Sequence, residues 1–160
     1  MKEDINLNKF IENLKNESDR GVVLISEELI NNYLTSLFEK YLILNKDLRK
    51  DILENSLAPL NTFSNKIKMA YSLGLIDEEQ YKNLEYVRKI RNKFAHRIFD
   101  ASFEDAQIIE WCKKIKIPRI PSDDPNNYRH LFYDVAYFLA GYLHSRTLSI
   151  EKQKYMKREV

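Results

Sequence analysis

The stretch DRGVVLISEELINNYLTSLFEKYLIL, residues 19–44, decides the fold. Its apolar positions Val22, Val23, Ile25, Leu29, Ile30, Tyr33, Leu34, Leu37, Phe38 and Tyr41 recur every three or four residues, the period of an α-helix. They cover more than one face, which predicts a central helix buried on several sides and running from Asp19 to about Leu44. The polar cluster Asn16-Glu17-Ser18-Asp19 just before it supplies a helix cap and separates it from a first helix over Ile5–Lys15.

Outward from this helix the same period repeats. A short helix is expected over Leu48–Glu54, and Pro59 in the loop Leu57-Ala58-Pro59-Leu60 stops it from continuing. Asn61–Leu73 follows with Phe63, Ile67, Ala70 and Tyr71 on one stripe, and Gly74 stands where a C-cap belongs. Asp77-Glu78-Glu79 opens a helix to about Arg97, its acidic residues at the positive end of the dipole. Ser102 with Asp105 reads as a capping box for a helix to about Lys116. Three prolines in Ile117–Pro125 form a linker. A last helix is expected from Asn127 towards Arg158, with turns 151–160 charged and fraying. No repeat and no strand alternation survives comparison with this pattern, so the expected architecture is one all-α domain over 1–160, a compact bundle of six or seven helices.

A chain of 160 residues is large enough to bury a core without disulfides or metals. Cys112 is its only cysteine, which excludes an intramolecular disulfide and a thiolate metal cluster. No apolar run approaches the roughly 20 residues that span a bilayer, and Met1-Lys2-Glu3-Asp4 does not begin a signal peptide, so a cytoplasmic protein without membrane contact is expected. Lys and Arg total 26 against 24 Asp and Glu, a net charge of +2 that is far below the balance of proteins held to nucleic acid by phosphate contacts alone. Nothing in the composition calls for a metal or a cofactor.

The helix after Asp77 carries the hexapeptide Arg91-Asn92-Lys93-Phe94-Ala95-His96. At 100° per residue, Leu84, Val87, Arg91, Phe94, Ala95 and Ile98 share one arc, so Arg91 interrupts an apolar stripe. A guanidinium there needs an anion, either a ligand phosphate or a carboxylate from another helix, with Glu17, Asp19 and Glu27 as candidates. Asn92 and His96 share a second face, and His96 lies about 140° around the axis from Arg91. The two act on one group only if the helix ends, distorts or meets a second protomer. The plain alternative is an Arg–Asn–His cluster that satisfies helix-end carbonyls and an acidic neighbour.

His130 and His144 lie about 21 Å apart along the last helix and cannot share a metal. The aromatic residues Tyr128, Phe132, Tyr133, Tyr137, Phe138 and Tyr142 of that helix read as a helix–helix interface. Arg88, Lys93 and Arg97 around the hexapeptide, with Lys113, Lys114, Lys116 and Arg119 before the linker, are candidate phosphate contacts. No helix-turn-helix is apparent, which argues against direct operator binding and makes RNA more plausible than DNA.

Three blocks of the chain resemble the mannitol operon repressor (MltR) family: Glu17-Ser18-Asp19-Arg20-Gly21, the run from Pro59 to Ile76, and Arg88 to His96. The resemblance spans Glu17 to about Cys112 and implies a compact helical fold and a regulatory role, repression through a protein or nucleic-acid partner. The hexapeptide is also similar to the Arg-x4-His signature of HEPN domains, which are helical, typically dimeric and in many cases metal-independent ribonucleases. That second resemblance implies a homodimer, with Arg91 stabilising a phosphorane and His96 as general acid or base. Asn92, Glu17, Asp19 and Arg20 would support the site.

Overall fold

A computed structural model describes residues 7–97, 101–118 and 124–150. The described residues form seven α-helices and one π-helical turn, without a strand. They are α1 (Leu7–Lys15), α2 (Asp19–Tyr41), α3 (Lys46–Arg49) running into the π turn Lys50–Glu54, α4 (Phe63–Ser72), α5 (Glu78–His96), α6 (Ala106–Lys114) and α7 (Tyr128–Ser149).

The helix starts are set by side chains that accept the amides a helix cannot satisfy itself. Ser18 accepts from the amide of Gly21 at 3.0 Å, Thr62 from Asn65 at 3.1 Å, Asp77 from Gln80 at 2.8 Å and Asn127 from His130 at 2.9 Å. The start of α6 differs from expectation. The Ser102 hydroxyl accepts from the Glu104 amide, whereas the Asp105 carboxylate accepts from Gln107 and Ile108. Asp105 is therefore the cap, and it leaves Phe103 outside the helix to fill the core between Phe94 and Phe132 at ring distances of 5.3 and 5.6 Å.

Ends are equally specific. At Gly74, φ is +67°, the left-handed conformation that glycine enters without a Cβ penalty. Its amide donates to Tyr71 and that of Leu75 to Ala70, which closes α4 with paired carbonyls. Two long helices are shorter than expected. α2 stops at Tyr41 because Leu42 turns extended and Asn45 caps α3, so Leu42 and Leu44 pack on the core from a crossing segment. α7 stops at Ser149, where Ile150 is extended, and the expected continuation over 151–160 lies outside the described residues.

α2 is the centre. It packs most extensively on α7 and then on α5, while α4 and α6 cover α5. Val22, Val23, Ile30, Leu34, Leu37 and Phe38 of α2 are buried, against Leu131, Phe132, Val135 and Leu139 of α7 and Val87, Ile90 and Phe94 of α5 within one core. Cys112 of α6 belongs to it and has no exposed surface. The aromatic stripe of α7 is a helix–helix interface inside the domain, as its spacing predicts: Tyr128 and Phe132 are buried, and Tyr137 is 46% exposed.

Arg129 fastens α1 to this core. Its guanidinium donates to Asp19 Oδ1 at 2.6 Å, to the Leu14 carbonyl at 3.2 Å, to the Glu17 carbonyl and to the Tyr133 hydroxyl. Removing a donor from part-buried acceptors costs about 1–3 kcal/mol per orphaned group. Arg129→Ala is expected to lower Tm and to speed amide exchange in α1 far more than in α5; exchange mass spectrometry showing unchanged α1 protection would refute the clamp.

Candidate functional site

The buried face of α5 is centred between Val87 and Phe94, and Ile90 and Arg91 occupy its two shoulders. Ile90 is fully buried, whereas the Arg91 side chain is 39% exposed, so Arg91 borders the apolar stripe instead of interrupting it. From that shoulder it reaches α2, where Glu27 is 8% exposed and its Oε2 lies 3.5 Å from Arg91 Nε. Of the three candidate carboxylates, Glu27 is the partner. Asp19 pairs with Arg129 and accepts from the Phe103 amide, and the Glu17 side chain lies across Gly21, where any added Cβ would collide with it.

Around the Glu27–Arg91 pair is a cavity of about 380 Å³. α2 contributes Glu27, Glu28 and Asn31, α5 contributes Arg88, Arg91 and Asn92, and the first turn of α4 closes the third side. Beside it Lys66, a buried lysine of α4, donates to Asn31 Oδ1 at 3.0 Å. Arg91 also donates weakly to Asn92 Oδ1 at 3.4 Å. Burial pushes the Glu27 carboxyl above the usual carboxylate range, with the nearby Arg91 and Lys66 pulling the other way.

The remaining sequence candidates go elsewhere. His96, the last residue of α5, is exposed and does not line the cavity, as its place about 140° around the helix from Arg91 requires. Arg20 donates to the Ala95 carbonyl at 3.4 Å and so holds the end of α5 against α2. Four of the candidate phosphate contacts already have carboxylates: Lys114 pairs with Glu110 at 2.5 Å, and the three around the hexapeptide are paired as well, while Arg119 lies outside the described residues. Lys93 binds Asp105 at 2.6 Å and lies over the Trp111 ring, Arg97 meets the other oxygen of Asp105 at 3.2 Å, and Arg88 pairs with Glu85 at 2.8 Å. Lys93 holds the Asp105 carboxyl below its usual value through that hydrogen bond, and the amides of Ile108 and Gln107 add to the effect against a smaller opposing push from burial. Sequence reasoning missed Asn31 and Lys66. The signal was present in the run Ser26-Glu27-Glu28, followed by Asn31-Asn32, a polar break in an otherwise apolar helix.

A family model described as "Mannitol repressor" matches residues 7–137. The chain belongs to the mannitol repressor family. A chain of the X-ray structure of the MtlR–HPr complex from Escherichia coli shares the fold, with a TM-score of 0.62 over 88% of this chain and 97% of that one, at 18% sequence identity. No curated protein matches. The likeness of the hexapeptide to HEPN domains gains no support from these comparisons. Among the described residues of this mannitol repressor family member, no helix is long and apolar enough to cross a membrane, and no cluster of three His, Cys, Asp or Glu side chains is placed to hold a metal.

The raised Glu27 value has a sign that can be tested. A carboxyl whose folded value exceeds the ordinary 4.5 gives a stabilising contribution that is full below 4.5 and is lost as pH rises through the folded value. Relative to Glu27→Gln, which stays neutral throughout, the wild type should therefore lose Tm as pH is raised from about 4.5 towards 7. Melting curves whose difference stays flat across that range would show that burial does not govern this carboxyl.

Proposed function

We propose that the protein is a regulator that acts by docking a protein partner, and that through this partner it exerts a repressor role in transcription. The observation that carries the reading is the family match over residues 7–137. The fold shared with a chain of a complex between MtlR and HPr makes an HPr protein the first partner to try.

The geometry favours a binding role over cleavage of RNA. A general acid or base has to come within hydrogen-bond reach of the atom it serves, and His96 stands outside the cavity that holds Arg91. A phosphate-binding surface needs cations free to release counterions. Lys93, Arg97 and Arg88 are each paired with a carboxylate of the same domain. α5, which follows α4 after the short turn at Gly74, spends Leu84, Val87, Ile90 and Phe94 on the core, whereas the reading helix of an operator-binding motif lies in the groove of the DNA.

Calorimetric titration of the purified protein with the HPr encoded in the same genome should show saturable binding with a Kd on the order of micromolar. Absence of heat and of co-elution would remove HPr as the partner, and a gene deletion that leaves every transcript level unchanged would remove the regulatory role. The same preparation should leave varied RNAs intact in the presence of a chelator. Cleavage to cyclic phosphate ends that disappears in His96→Ala would replace this reading with the nuclease one.

A further inference from the structure

The cavity between α2, α4 and α5 is bordered by an ion pair, Glu27 with Arg91, that leaves one buried donor without a hydrogen bond. Arg91 Nε is buried and has no hydrogen-bond partner among the described residues, although the Glu27 carboxylate faces it at 3.5 Å. That distance is beyond the 2.7–3.2 Å of an N–H···O bond. A buried donor left this way is costly unless something inserted beside it accepts its bond.

The chemistry of the wall says what can do so. The charged residues lining the cavity are Glu27, Glu28, Arg88 and Arg91, which sum to zero. A carboxylate or phosphate would meet two glutamates, and an ammonium would meet two arginines. A hydroxyl group both donates and accepts, so adjacent hydroxyls of one molecule can donate to Glu27 and accept from Arg91 Nε together. Neutral hydrogen-bonding groups complete the wall. Asn31, whose Oδ1 is held by Lys66 at 3.0 Å, keeps its amide nitrogen to donate, and Asn92, Thr62 and Ser64 stand around the rim. The half-buried ring of Phe63 adds one apolar face of the kind on which the C–H side of a polyhydroxylated carbon chain can lie. About 380 Å³ is within the size of small-molecule sites.

We propose that this cavity is a binding site for an uncharged polyhydroxylated small molecule, a polyol or a sugar, gripped by Glu27 and Arg91. Asn31 and Asn92 fix its orientation and Phe63 its face. The site is independent of partner docking: either can hold without the other, because the calorimetric partner titration is performed without any small molecule.

Titration of the full chain with mannitol, sorbitol and glucose, and separately with sodium acetate and inorganic phosphate, tests this by ¹H–¹⁵N correlation spectra. At least one uncharged compound should saturate a single site and shift the side-chain amides of Asn31 and Asn92. Glu27→Gln should weaken that binding at least tenfold, and Asn92→Ala, at the half-exposed rim where folding is not at stake, should weaken it by a smaller factor. Response to acetate or phosphate alone would overturn the proposal in favour of an anion site. No response to any uncharged compound would overturn it as well, and so would binding that survives both variants unchanged.

Discussion

A helix that is apolar on more than one side has to be covered on every one of them, and α2 imposes that requirement on the rest of the chain. α7 covers one side with Leu131, Phe132, Val135 and Leu139, α5 covers the next with Val87, Ile90 and Phe94, and α1 and α4 fill what is left. Burying a single Leu- or Phe-sized side chain is worth about 1.5–3 kcal/mol, so the order of the helices around α2 follows from matching apolar area. The exception is where α2 itself turns polar, at Glu27 and Asn31. Apolar side chains cannot close over a carboxylate without a large desolvation cost. The neighbouring helices therefore bring Arg91 and Lys66 towards that point, and a cavity remains where a continuous core would otherwise have formed.

Local chemistry made most of the fold legible. The all-α architecture, the caps Ser18, Asp77 and Asn127 and the glycine at the end of α4 can be read directly, because each depends on residues within a few positions of one another. The misreadings have a common source. Leu42 and Leu44 carry the apolar period onward but serve the core from an extended crossing. Asp105 and Ser102 are both good caps, and only the demand of the core for Phe103 decides between them.

The site was legible in its parts and not in its grouping. Arg91 needs a carboxylate, and Glu27 was one of three on offer; which of them faces it depends on how α5 is rotated against α2, a tertiary quantity that periodicity locates only to within about half of a residue's 100°. The same rotation that turns Arg91 inward turns His96 out to solvent. The basic residues near the hexapeptide look like a phosphate-binding face when only charges are counted. Their carboxylate partners show otherwise: Asp105 ties Lys93 and Arg97 to the start of α6, and Glu85 holds Arg88 along α5 itself.

Asp105 and Cys112 together give the protein an internal clock. Asp105 starts α6 and, through Lys93 and Arg97, pins that start to α5, while seven residues later the lone thiol of the chain faces the core with no exposed surface. An alkylating reagent in solution can reach that sulfur only while α6 is lifted away. Since the chain contains no second cysteine to confuse the count, the rate of labelling measures the frequency with which this one corner opens, separately from the stability of the bundle as a whole.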